Sequence, residues 1–322
     1  MTGGAFEKCT NLTSVTLSKN LSSIGHDIFK GCENLKGIVL PESVTSIGEN
    51  AFLGCAKLTD VDLPKNLTDI GNYAFSGCKS LTKLTIPDGV TEISDGTFSG
   101  CTGFTNLPMN DKITSIGKNA FSMCDGLKSV KIPSNITSIG EYAFYQCGSL
   151  ENVVLSDSLT SLSKGLFMYC TALKKITIPE GVTEIGVGAF SQCKNLSSIT
   201  IPDSEETIGN GAFRETAIAG IRLPANLTSI AGWVFEQCTS LKTITIPDSV
   251  KSIDENAFYH CTALQSVVFP GNVESIGSRA FFECSGLEGV KFSEGVKTIA
   301  DHAFYGCTSM KKNTACRQHY DY

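Results

Sequence analysis

Long apolar runs are missing from this sequence. No stretch of 18 consecutive apolar residues occurs in it, which excludes a membrane-spanning helix. Histidine is scarce, at four residues, and tryptophan occurs once. The histidines, His26, His260, His302 and His319, have no recurring carboxylate partner. G-x-S-x-G, H-E-x-x-H, G-x-G-x-x-G and phosphate-loop patterns are all lacking. Catalysis needs convergent groups, so the sequence reads as non-catalytic and implies no cofactor. An excess of positive charge is absent too: the formal net charge is −6, which argues against a nucleic-acid-binding face over the whole molecule. The opening, MTGGAFEKC, has neither a basic nor an apolar leader region and does not read as a signal peptide. It enters a repeated phrase midway, as an excised fragment would.

What is abundant is regular. Phenylalanine recurs from Phe6 and Phe29 to Phe304 in steps of 23 residues, with one step of 22 between Phe213 and Phe235. The repeated phrase is A-F-x-x-C-x-x-L-x-x-V-x-(L/I)-P-x-x-V-x-x-I-G-x-x. No linker or second composition regime interrupts it, so residues 1–322 read as a single domain, with regular repeats over 5–308 and an irregular tail over 309–322. In LTKLTIP, Leu84 and Ile86 alternate with Lys83 and Thr85, the mark of a half-buried strand. Proline follows at nine slots, Pro41, Pro87 and Pro247 among them, and ends pairing because it has no N–H. A short extended piece such as VTSI comes next, with Val44 and Ile47 inward. Glycine fills the following slot eight times, but Ser94, Ser163, Ala231, Asp254 and Ala300 also stand there. That slot therefore calls for a small residue or a helix N-cap, not for φ > 0. AFxxC is short enough to read as a single helical turn. No phrase buries its apolar residues alone, so the phrases must stack as a solenoid.

These residues resemble the BspA-like leucine-rich repeats, through A-F-x-x-C, V-x-I-P and V-T-S-I-G. The resemblance implies a β-rich, right-handed solenoid of about 14 coils, with a concave parallel sheet, short convex-side strands and single helical turns. It also implies a cell-surface or secreted protein of the adhesin type. A cytoplasmic location and a role as a rigid structural spacer are the alternatives.

Thirteen of the 14 cysteines occupy one slot, with Thr216 there in the shortened coil and Cys316 outside the pattern. Stacked slots set parallel Cβ vectors, which disfavours bridging. With no C-x-x-C pair or His cluster to suggest zinc, buried and reduced thiols acting as small apolar groups are expected. Outward strand positions carry eleven positive and four negative side chains. Lys83, Lys131, Lys175 and Arg222 are among the positive ones and are candidate binding residues. Acidic residues follow the Pro slot in eight coils, Glu42, Asp88 and Asp203 among them. A basic face beside an acidic rim would steer an anionic protein or glycan, although strand lysines also protect against aggregation. Tyr142, Tyr145 and Tyr169 form a second candidate site, since exposed aromatics can anchor an interface. Tyr259, Phe282 and Tyr305 share a column and read as stabilising the C-terminal end. Two local disturbances are expected. In one, Pro108 leaves its slot and Met109 takes the inward position; in the other, Glu205 fills the Val slot.

Overall fold

Where polar and apolar residues alternate after the Leu slot, three-residue strands form with only the central side chain buried, as in Ser129–Lys131 and Ser266–Val268. Two-residue strands such as Ser46–Ile47 follow the Pro turn. In the computed structural model, which describes residues 3–314, these strands pair in parallel with their counterparts 23 residues away, Ser23 opposite Ser46 and Lys175 opposite Ser198. Each half of a coil thus feeds its own ladder, and the result is a parallel-sheet β-solenoid. The turns number about twelve rather than fourteen, and Thr13–Leu17 in the first phrase forms no strand. The chain divides into two compact units, one running to Leu159 and including Tyr169–Thr171, the other comprising Thr160–Met168 and Ala172 onward.

In the first unit the short strands form two groups, Ser23–Ile24 to Asp69–Ile70 and Glu92–Ile93 to Ser138–Ile139. In the second, both ladders stop at the 22-residue step: Thr207–Ile208 does not pair with Ser229–Ile230, nor Ser198–Thr200 with Gly220–Arg222. The inward slots nevertheless keep their place across the shortened coil, with Ile208, Ile221 and Ile230 buried and Phe213 stacked on Phe235 at 5.7 Å. A strand is also absent after Leu81 and after Phe104, although Leu84 and Ile86 stay buried. Pro108 is buried while Met109 is half-buried. The expectation that Met109 turns inward therefore fails: the proline ring fills the space, and it has no N–H for the ladder.

Among the described residues no helix occurs, and AFxxC is a run of tight turns. The reason lies in the backbone. In every phrase the residues two before and two after the ladder Phe have φ between 52° and 74°, as Asn50 and Gly54 flank Phe52. Ala51 N–H donates to Gly48 O and Cys55 N–H to Phe52 O, giving turns whose third residue is left-handed, as type II requires. Asn50, Phe52 and Gly54 turn their N–H groups to the next coil instead, donating to Asn72, Ala74 and Ser76 carbonyls at 2.7–2.9 Å. A helical turn would spend those donors within the segment. By contrast Gly48 is not left-handed. A Cβ there would lie 2.7 Å from the backbone N of His26, so the slot is small because coils approach closely.

The ladder rings stack in each unit, Phe6 to Phe144 and Phe167 to Phe304, with centroids 4.9–5.8 Å apart and planes within 19°. That is the spacing of offset-stacked rings. Phe304, expected to be buried, is half-buried because no further coil covers it among the described residues. The thiols do more than fill space. In twelve coils the slot Sγ donates to the carbonyl of the previous coil's ladder Phe at 3.0–3.3 Å. In most of these coils the same carbonyl also accepts the N–H of its own coil's cysteine, as Phe52 O does from Cys55, so both lone pairs are used. Burial pushes the Cys55 and Cys101 thiols up to about 12, which keeps the donating proton in place. Eleven slot cysteines are buried, whereas Cys9 is exposed and Cys307 half-buried at the ends, and these two depart from the expectation. Thr216 donates to Phe213 O, 2.9 Å away in its own coil. Cys316 lies outside the described residues.

Candidate functional site

Two surfaces follow from this scaffold. Strand pleating sends the side chains on either side of each buried strand centre outward, and Lys83, Lys131, Lys175 and Arg222 are all exposed. Lys131 ends the strand Ser129–Lys131, in register with Val154, and Lys175 opens Lys175–Thr177, in register with Ser198. Lys83 lies in a stretch that forms no strand. The cations are unevenly shared. In the first unit Lys36, Lys83, Lys128 and Lys131 stand against Asp60, Asp62 and Glu151. In the second, Lys174, Lys175, Arg222, Lys242, Lys291, Lys311 and Lys312 stand in the sequence against Glu288 alone. The sequence-wide count hid this division.

Arg222 is bound to the acidic rim. Its Nη2 reaches Asp203 Oδ1 at 2.8 Å and donates to Oδ2 at 2.9 Å. The hydrogen bond from Arg222 holds the Asp203 carboxyl below its ordinary range and raises the guanidinium in turn. Lys311 lies 3.9 Å from Glu288. Lys175, Lys242 and Lys291 are exposed and bridge to no carboxylate among the described residues. Around them the face carries hydroxyls: Thr177, Ser198, Thr200, Thr243 and Thr245 are exposed too. The arrangement can hold an extended anion through point charges and hydroxyl donors.

The second surface lies on the turn side of the first unit. Tyr142 and Tyr145 meet edge to face at 5.9 Å, and Tyr145 meets Tyr169 in the same way at 5.7 Å. All three rings are half-buried. Tyr142 and Tyr169 occupy the two left-handed slots, at φ 58° and 64°, a strained backbone for bulky residues. Met123, 46% exposed, donates its N–H to Tyr145 O at 2.7 Å and extends the patch. Nearer the C-terminus Tyr259, Phe282 and Tyr305 stack at 5.1 and 4.9 Å. Their faces cover one another, as expected of a column that stabilises its own end.

Sequence reasoning missed the left-handed slots, although Gly and Asn at Gly31, Asn50, Gly54, Gly77, Asn119 and Gly306 were a readable signal. It also missed the setting of Glu205, fully buried with neither carboxylate oxygen hydrogen-bonded.

The profile of the BspA type leucine rich repeat region (6 copies) matches residues 2–109, 91–218 and 206–320. Among solved structures, a leucine-rich repeat protein from Bacteroides ovatus is 33% identical, over 86% of this chain and 86% of that one, with a TM-score of 0.68. A leucine rich cell surface protein from Faecalibacterium prausnitzii is 28% identical over 92% of this chain and 84% of that one, at a TM-score of 0.55. A leucine-rich repeat protein from Eubacterium ventriosum, 22% identical over 96% and 84% with a TM-score of 0.58, shares the fold. No match was found among curated proteins. No helix is long and apolar enough to cross a membrane among the described residues. With the profile matching most of its length, the chain belongs to the BspA-type leucine-rich repeat family.

Proposed function

We propose that this protein is a non-catalytic binding scaffold of the adhesin type, working at a cell surface and recognising a protein or glycan partner on its strand face. The observation that carries the reading is the second unit's array of exposed lysines, Lys175, Lys242 and Lys291, with no bridging carboxylate among the described residues. Such a face attracts anions and steers them into contact. The similarity to a leucine rich cell surface protein supports the location. Lys83, Lys131 and Arg222 contribute less, the first two because Asp60, Asp62 and Glu151 share their unit's face, the third because Asp203 already holds it. The tyrosine patch is a second contact, since its edge-to-face rings offer apolar area with polar tips.

The test is a binding screen against matrix proteins and sulfated glycans at low and moderate salt. Binding should fall with salt and be lost in Lys175→Glu, Lys242→Glu. Loss in Tyr145→Ala, Tyr169→Ala with little salt dependence would transfer the site to the turn side. A protein that binds nothing in the screen, with or without the substitutions, would act as a spacer.

A further inference from the structure

Part of the second unit's strand face is a continuous ladder. Gly220–Arg222, Thr243–Thr245, Ser266–Val268 and Gly289–Lys291 are consecutive strands of one sheet. Gly220 stands opposite Thr243, Thr243 opposite Ser266, and Ser266 opposite Gly289. The two central strands have a neighbour on each side, so their main-chain groups are taken up by the ladder. Only side chains remain to receive a ligand. Thr243, Thr245 and Ser266 are exposed there, as are Arg222, Lys242 and Lys291. Val268 is the one apolar residue at the outward positions of these strands, and no aromatic ring stands among them.

The hydroxyls of this face differ from others in the unit. Ser204 Oγ donates to Val182 O at 2.8 Å, Ser249 Oγ to Leu227 O at 2.7 Å and Ser293 Oγ to Pro270 O at 2.8 Å, so those groups serve the fold. Those of Thr243, Thr245 and Ser266 make no hydrogen bond among the described residues. Lys242 and Lys291 bridge to no carboxylate there either, and Glu288, the acid of this face, lies 3.9 Å from Lys311. Lys242 precedes Thr243, and Lys291 ends the strand two coils further on. Two strand spacings and three residues along the strand separate them, about 14 Å between Cα atoms, with the hydroxyls in between. At Gly220 a Cβ would meet nothing nearer than Thr243 Oγ1, at 3.6 Å, so the ground beside that hydroxyl is open.

We propose that the partner of this face is a linear anionic polysaccharide laid across the strands, an assignment that rests on the binding reading of the lysine face. Its sulfate or carboxylate groups meet Lys242 and Lys291, and its ring hydroxyls and oxygens bond to Thr243, Thr245 and Ser266. The two cations lie in different coils, so a ligand that reaches both must run along the solenoid axis. An acidic peptide fits less well. It finds no free main chain to pair with and no pocket or ring for an anchoring side chain, and its flexible chain must be ordered at a cost. A nucleic acid strand finds no ring on which its bases could stack.

Fluorescence polarisation of the whole chain with labelled hexasaccharides of heparin and of polygalacturonate, and with the peptide Glu-Ser-Glu-Ser-Glu-Ser, tests this. At least one hexasaccharide should bind saturably and the peptide should not. Preference for heparin identifies sulfate as the anion, and preference for polygalacturonate identifies carboxylate. Thr243→Val keeps shape and charge and should weaken binding about tenfold, as loss of one hydrogen bond to an anion would. Gly220→Gln, Ser266→Gln crowds the face at constant charge and should abolish binding, with an unchanged melting midpoint. Lys242→Glu, Lys291→Glu should abolish it as well. Full binding in either of the first two variants, with loss in the lysine variant, would overturn the polysaccharide and leave the cationic face standing. So would peptide binding as tight as that of the sugars. Full binding by the lysine variant would overturn both readings, and failure of both hexasaccharides to bind would overturn the polysaccharide.

Discussion

Raising the pH should loosen the shortened region of the solenoid through one residue, Glu205. Its slot holds Val182 one coil earlier and Leu227 one coil later, both buried. Glu205 is itself fully buried, and neither carboxylate oxygen finds a hydrogen bond. Burial, with a smaller contribution from the Glu184 charge, raises its pKa from 4.5 to about 8. The folded state thus holds a proton that the unfolded chain has already released. Stability from this group is complete below pH 4.5, declines as the pH rises, and is lost above about 8. At about 1.36 kcal/mol per pH unit, the shift amounts to on the order of 5 kcal/mol, most of it gone by pH 7. Urea denaturation and amide exchange around residues 200–209, at pH 5, 7 and 9, would measure it. Because solenoid stability is a sum of local terms, the exchange should respond more sharply than the global midpoint. Glu205→Val restores the apolar slot and should stabilise the protein, far more at pH 9 than at pH 5. Glu205→Gln should remove the pH dependence but leave a buried amide that costs about 1–3 kcal/mol. A Glu205→Val gain that is the same at pH 5 and pH 9 would refute the reasoning.

Phe167→Ala opens a cavity beside Phe190, 5.7 Å away in the stack; a loss of about 3–5 kcal/mol is expected in chemical denaturation, and a loss below ~1 kcal/mol would mean the ring is not core. Cys101→Ala removes the Sγ–H donated to Phe75 O at 3.1 Å together with a buried sulfur and should cost about 1–2 kcal/mol; wild-type stability would mean that neither the bond nor the filled volume contributes. Under native conditions a thiol reagent should label Cys9 before any other slot cysteine, since it is exposed. Cys55 and Cys101, with thiols raised to about 12, should react only on unfolding. Mass spectrometry finding them labelled as fast as Cys9 would contradict their burial.

Much of the fold could be read directly because a solenoid is local. Each phrase meets only its neighbours, so the period of 23 alone places Phe52 on Phe75 and Cys55 near Cys78. Period-2 alternation marked strands such as Ser129–Lys131 correctly, since burial there depends on the pleat and little else. The turns were misread because AFxxC carries no periodicity of its own. Its left-handed residues include Asn50, Tyr142 and His302, which single-residue propensity assigns no common conformation. The candidate sites were legible as lists of residues. Exposure of Lys131 and Lys175 followed from alternation, whereas the capture of Arg222 by Asp203 depended on two side chains 19 residues apart reaching one another.

The sequence by itself determined the repeat, the parallel stacking, the phenylalanine and cysteine columns and the family resemblance, because each of these is a consequence of period and of which residues must leave water. Tertiary structure alone decided which hydrogen-bonding groups find partners. It sends the Asn50, Phe52 and Gly54 amides to the next coil, gives twelve of the slot thiols a carbonyl and leaves Glu205 with no hydrogen bond. Those outcomes depend on how closely backbone and side-chain atoms of neighbouring coils approach, and no spacing in the sequence encodes them.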